Sequence, residues 1–199
     1  MAKNQNGQNI VTPSPDRLAQ AAQKAANGGL PPVHLWNPPF CGDIDMRIAR
    51  DGTWFYQGTP INRPRMVRLF STILRRDGDA YFLVTPVEKV GITVDDVPFV
   101  AVDFTVENPG TDQVLIFETA LGDTAPAGPD HPIRVAQSPE SDAPAPYVAI
   151  RAGLEARIDR KSFYRMVDLG QEEVIDGTAW FGIRSGGTFF RLIPAHALT

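Results

Sequence analysis

Ile61-Asn62-Arg63-Pro64-Arg65-Met66-Val67-Arg68-Leu69-Phe70 is echoed by Ile158-Asp159-Arg160-Lys161-Ser162-Phe163-Tyr164-Arg165-Met166-Val167 at a constant offset of 97 residues. The shared pattern is Ile, a helix-capping Asn or Asp, Arg, and further on a second Arg followed by two apolar residues. A strand-like segment ending at a proline follows each copy: Tyr81-Phe82-Leu83-Val84-Thr85-Pro86, then Phe189-Phe190-Arg191-Leu192-Ile193-Pro194. A motif repeated in this way predicts a duplicated unit. A duplicated unit in turn predicts two similar half-folds with a cleft between them.

Working outward from the first copy, Asp51-Gly52 is a hairpin turn between strands at 46–49 and 54–57. Asn62 is placed to cap a helix running to about Arg75, with Met66, Leu69, Phe70, Ile73 and Leu74 as its buried stripe. Residues 81–85 return as a strand, so the unit reads β-β-α-β. Around the second copy, 147–151 and 154–158 flank Ala152-Gly153. Asp159 caps a shorter helix ending at Gly170, and 180–184 with 188–193 form a hairpin over Ser185-Gly186-Gly187. Three further strands, 99–106, 114–119 and 133–135, lie between the copies, and 138–146 reads as a surface loop. The expected fold class is α+β: two repeated units with mainly antiparallel sheets. The expected divisions are 1–30 (a flexible tail and a helix), 31–95 and 96–199. In the first, Ser14 caps a helix to about Ala26 whose mostly alanine face, with Leu18, promises weak docking or a tail helix. Pro31-Pro32 and Pro38-Pro39 then call for extended chain.

Composition excludes several classes. The 18 prolines and 17 glycines favour turn-linked strands over a helical bundle. One cysteine, Cys41, rules out an internal disulfide and fits a cytoplasmic protein. No signal-peptide core or membrane-length apolar run of about 20 residues is expected. The net charge of −4 argues against non-specific nucleic-acid or anionic-membrane binding. Yet residues 61–76 carry five arginines and no acid, and 151–165 carry five bases against Glu155 and Asp159. The positive charge is thus gathered at the two copies in an otherwise acidic chain. That pattern suits a compact anionic ligand, or simply two solvated helix faces.

Trp36-x-Pro38, Cys41-Gly42-Asp43-Ile44-Asp45-Met46-Arg47-Ile48, Asp51-Gly52-x-Trp54-x-Tyr56-x-Gly58-x-Pro60-Ile61-x-Arg63, Leu69-Phe70 and Leu83-Val84-Thr85-Pro86-Val87-Glu88-Lys89 form a dense string. It resembles the bacterial family called domain of unknown function 1285, from about Trp36 to Leu192. The resemblance implies a duplicated α+β arrangement whose C-terminal half is similar to pleckstrin-homology-like folds. It also implies a nucleotide-type ligand at the interface of the two repeat domains, in signal transduction.

Arg63 and Arg160 each follow a helix cap, where the helix dipole already disfavours a cation. With Met66 facing inward, Arg63 is expected at the edge of the buried stripe. Such an arginine needs an anion: an internal carboxylate such as Asp45 or Asp103, or a ligand phosphate. Trp54 and Tyr56 share a strand face and are core aromatics or a stacking wall. Glu88 and Lys89 stand at a strand end, where polar groups converge or form an ordinary exposed pair. Asp43 and Asp45 share a face, but no third ligand for a metal is in view. No Walker loop, zinc spacing or nucleophile elbow occurs. The expected function is a ligand-binding signalling module without a cofactor, using Arg63, Arg160, Trp54, Tyr56, Glu88, Lys89 and Asp45. The alternatives are a protein-interaction scaffold and a hydrolase using Asp45, Glu88 or Lys89.

Overall fold

A computed structural model describes residues 14–25, 29–137 and 144–197. The expectations for residues 1–12 and for loop residues 138–143 lie outside them. The chain divides into two compact units: Met1–Ala49 with Thr53–Asp95, and Arg50–Gly52 with Asp96–Thr199.

The first unit begins with α1 (Pro15–Ala25) and a single 3-10 turn at Val33–Leu35, where extended chain was expected. Three strands follow, β1 (Phe40–Ile48), β2 (Trp54–Tyr56) and β3 (Thr59–Pro60), then α2 (Pro64–Thr72), then β4 (Leu74–Asp77), β5 (Ala80–Val84) and β6 (Lys89–Val94). The sheet order is β3-β2-β1-β6-β5-β4, antiparallel except where β1 and β6 lie parallel at its centre. Period-two alternation builds β1: Ile44, Met46 and Ile48 are buried, and Asp43 and Asp45 are exposed. The hairpin pairs Ile48 with Trp54 and Met46 with Tyr56 around the Asp51-Gly52 turn, in the expected place.

Helix α2 departs from expectation at both ends. Its N-cap is Arg63, not Asn62, and no side chain caps it. Pro64 supplies the first helical residue, where its missing N–H costs nothing, and it keeps Arg63 out of the helical conformation. The helix ends at Thr72, where the hydroxyls of Ser71 and Thr72 donate to the carbonyls of Arg68 and Leu69 and compete with the backbone of the last turn. Leu74–Asp77 then pairs with β5 as a strand. The buried face is Val67, Phe70 and Ser71, with Met66 and Leu69 only half-buried. Phe70 stacks on Trp54 with ring centroids 6.2 Å apart. Helix α1 packs on α2, and its Leu18 and Ala22 are fully buried. That docking is firmer than its alanine content suggested, because burying a leucine contributes about 2 kcal/mol.

The second unit contains β7 (Phe99–Glu107), β8 (Val114–Thr119), β9 (Thr124–Pro126), β10 (Ile133–Gln137), β11 (Pro144–Arg151) and β12 (Leu154–Ile158), then α3 (Arg160–Val167) and β13 (Gln171–Ile175), β14 (Thr178–Ser185) and β15 (Thr188–Pro194). The six-stranded sheet has the order β10-β11-β12-β7-β8-β9, with β7 and β12 parallel at its centre. β13, β14 and β15 form a separate antiparallel sheet. Strands β9 and β13 were not anticipated, and residues 144–146 belong to β11 rather than to a loop. Asp159 caps α3 as expected, its carboxylate accepting from the Ser162 amide at 2.7 Å.

Strands β9 and β10 are opposite edges of their sheet, yet only residues 127–132 join them. A flat six-stranded sheet would be about 24 Å wide. The joining segment is itself folded, with Gly128 and His131 exchanging backbone hydrogen bonds. The sheet therefore curls, bringing β9 against β11. Ser185 braces this closure: its hydroxyl donates to the Ala127 carbonyl at 2.7 Å and accepts from the Leu115 amide at 2.9 Å.

The fold is mixed α+β with two domains, but not of β-β-α-β units. Read from matching edges, both six-stranded sheets have one order, with the first and last strands adjacent and parallel. The echoed helices occupy different places in that plan: α2 joins the third and fourth strands, and α3 follows the sixth. No helix among the described residues is long and apolar enough to cross a membrane.

Candidate functional site

In the second unit, the start of α3 and the strand leading into it border a pocket of about 700 Å³. That is within the usual range for small-molecule sites. Three arginines, Arg50, Arg157 and Arg160, line it with Tyr164, Pro146 and Asp159. Arg157 comes from β12, and Arg160 and Tyr164 from α3, one turn apart on one face.

The three guanidinium groups are not equivalent. Asp96 accepts from Arg157 at 3.3 Å and lies 3.8 Å from Arg50. The buried Tyr147 hydroxyl also donates to Asp96, at 3.0 and 3.1 Å. Burial, then the hydrogen bond to Asp96 and its charge, raise the Tyr147 phenol above its ordinary value, so the donor stays protonated. The Asp159 carboxylate is committed to capping. Arg160 has no carboxylate partner among the described residues. It donates to the Tyr164 hydroxyl at 3.2 and 3.0 Å, with its guanidinium carbon 5.5 Å from the ring centroid. The phenol orients this exposed cation without neutralising its charge.

The expected site residues are dispersed. Arg63 lies in the first unit, exposed rather than angled inward, because the buried face of α2 turns toward Trp54. It lines an α1–α2 groove of about 830 Å³ with Asp16, Gln20, Met66 and Leu69. It pairs with neither Asp45, which is exposed on β1, nor Asp103, which binds Arg165. Trp54 is 2% exposed and serves the core, not a stacking wall. Tyr56 is half-buried on the same strand. Glu88 and Lys89 do not form an exposed pair. Glu88 is buried in a turn where the Thr85 hydroxyl accepts from its amide, and it lines a groove with Arg17 and Lys24. Lys89 donates to Asp77 at 2.6 Å and lies over the Phe82 ring. Arg160 alone of the expected set lines the pocket described above. Arg50, Arg157 and Tyr164 were missed, although the spacing of Arg160 and Tyr164 is a readable signal.

Residues 31–97 match the family pattern described as domain of unknown function (DUF1285), N-terminal domain. Residues 98–192 match protein of unknown function (DUF1285), C-terminal domain. A DUF1285 family protein from Silicibacter pomeroyi DSS-3, solved by crystallography, is 64% identical; the match covers 91% of this chain and 97% of that one, with a TM-score of 0.83. A DUF1285 family protein from Shewanella baltica OS155 is 28% identical over 63% of this chain and 91% of that one, with a TM-score of 0.49. No curated protein matches the chain. Matched in both halves, and this similar to one solved member along almost all of its length, the chain belongs to the DUF1285 family.

Proposed function

We propose that the second unit binds a small anionic ligand at Arg160, and that the protein acts as a ligand-binding module in bacterial signal transduction. The observation that carries this reading is the unneutralised Arg160 guanidinium, held by Tyr164 at the mouth of a pocket lined by two further arginines. A preoriented guanidinium favours bidentate oxyanions, phosphate and carboxylate above all. A nucleotide would add a base for the Tyr164 ring to face. The likeness of the C-terminal half to a pleckstrin-homology-like fold belongs to the same proposal, supported by the helix that follows its six strands.

A thermal-shift panel of mono-, di- and cyclic nucleotides and inorganic phosphate tests the reading. A ligand at 100 times its Kd should stabilise the protein by about 2.7 kcal/mol, and Arg160→Ala should abolish the shift. A panel without any shift would sink it.

The scaffold alternative has its own supporting observation. Arg63 and Arg65, both exposed and without a carboxylate partner among the described residues, line the α1–α2 groove beside Met66 and Leu69. If that groove is the working surface, Arg63→Glu with Arg65→Glu will remove function in vivo while Arg160→Ala spares it.

A further inference from the structure

A second cavity of the same unit, about 420 Å³, is lined by Val135, Ala136, Phe163, Val167, Phe181 and Leu192. Gln137 is the one polar side chain in its lining. Pro144 and Phe163 line both this cavity and the arginine pocket, so one pair of side chains walls the two spaces. Helix α3 explains the adjacency. At 100° per residue, Phe163, Val167, Arg160 and Tyr164 fall in that order across one arc of about 100°. The apolar pair faces the greasy cavity and the polar pair faces the pocket. From Arg160 to Val167 the helix rises about 10 Å, roughly the span of an extended octyl chain.

Resting on the anion reading above, we propose that the ligand is a single-chain anionic amphiphile, with its phosphate or carboxylate head on Arg160 and its alkyl chain in the adjoining apolar cavity. Charge complementarity selects the head, since of the three guanidinium groups lining the pocket Arg160 is the one with no carboxylate partner among the described residues. Adjacency selects the tail, because the apolar cavity shares Pro144 and Phe163 with the charged one. A compact, wholly polar anion would leave the apolar cavity unused. A neutral apolar ligand would leave Arg160 unpaired.

Isothermal titration of the full chain with inorganic phosphate, butyl phosphate, octyl phosphate and octyl glucoside, all below micellar concentration, decides between these. Each buried methylene should tighten binding about fourfold. Allowing for incomplete burial, octyl phosphate should bind at least tenfold more tightly than butyl phosphate, with octyl glucoside far weaker. Val167→Trp or Leu192→Trp should erase the chain-length dependence and keep phosphate binding; the series in the unsubstituted protein decides even if those variants fail to fold. Equal affinity for phosphate, butyl phosphate and octyl phosphate would overturn the amphiphile and leave the anion reading standing. Binding of octyl glucoside as tight as octyl phosphate would overturn the role of Arg160 as head group partner. No binding by any of the phosphates would overturn both proposals.

Discussion

The two six-stranded sheets share one strand order and differ in how the chain crosses between their edges. Each is a pair of three-stranded meanders whose first and last strands meet, parallel, in the middle. This plan leaves the third and fourth strands at opposite edges, and the chain must cross from one to the other. In the first unit residues 61–73 make the crossing and include α2, which brings Phe70 onto Trp54. In the second, residues 127–132 suffice because the sheet curls, and α3 appears only after the sixth strand. The helix is thus part of the crossing in one unit and an addition to a curled sheet in the other. Segments that look alike in sequence do different work, and the segments that do the same work share little visible pattern.

The sharpest way to break this comparison is to hollow out each helix. Phe70→Ala removes a fully buried ring from the joint between α2 and the sheet and should cost about 3–5 kcal/mol. Met166→Ala, the largest buried truncation on α3, should cost less, about 2–3 kcal/mol. Urea unfolding with both tryptophan fluorescence and circular dichroism checks the order. A larger loss for Met166→Ala would mean that α3 is the more deeply integrated helix.

The curled closure of the second unit has its own test. Ser185→Ala strips a donor from the Ala127 carbonyl and an acceptor from the buried Leu115 amide, and should cost about 1–3 kcal/mol. Gly186→Ala should add to this: the residue has φ +54, and a Cβ there would fall 2.7 Å from the Ala127 carbonyl oxygen. Thermal unfolding of the single and double variants measures both. A neutral Ser185→Ala would show that residues 127–132 need no brace.

Much of this was legible. The strands expected at 46–49 and 154–158, the Asp51-Gly52 turn and the Asp159 cap are local signals, and each lies where local physics puts it, although the first strand begins earlier, at Phe40. The failures were also physical. Ile73 and Leu74 fit a helical stripe as well as a strand, and it is the non-local pairing of Leu74 with Leu83 of β5 that ends the helix before them. The polar run Gln171-Glu172-Glu173 hides an edge strand because no buried face imposes alternation on it. The equivalence of the sheets is a matter of strand order, which no residue pattern encodes. At the candidate site, Arg160 was readable from its helix start. Arg50 and Arg157 were not, because Asp96, 46 and 61 residues from them in sequence, holds both.

The helix starts differ in a way that predicts opposite signs. Asp159→Ala removes a carboxylate that satisfies the Ser162 amide and should cost about 1 kcal/mol. Arg63 caps nothing and places a cation at the positive end of α2, so Arg63→Ser should stabilise by up to about 1 kcal/mol. Differential scanning calorimetry should show the two melting temperatures moving apart. If both fall, Arg63 makes a contribution in the folded state that its lack of a cap bond conceals.

The finest difference is an ion pair that the two sheets share with the charges exchanged. In the second meander of the first unit, Asp77 on β4 reaches across β5 to Lys89 on β6, which covers Phe82 of the intervening strand. In the second unit, Arg134 on β10 reaches across β11 to Glu155 on β12, and it is Arg134 that covers Tyr147 of the intervening strand. Burial pushes the Asp77 carboxyl up, but the hydrogen bonds and charges of Lys89 and Arg75 outweigh it and hold the group below its ordinary value. A depressed folded value means that the stabilisation is fully present above the unfolded carboxyl pKa of about 3.9 and is lost as pH falls through the folded value. The side chain is 39% exposed, so screening keeps the effect below about 1 kcal/mol. Asp77→Asn should therefore lower stability slightly at pH 7 and flatten its decline below about pH 4. Chemical unfolding at closely spaced pH values checks this. An unchanged acid slope in Asp77→Asn would assign the acid sensitivity of the first sheet to other carboxylates and leave the cross-strand pair a matter of geometry alone.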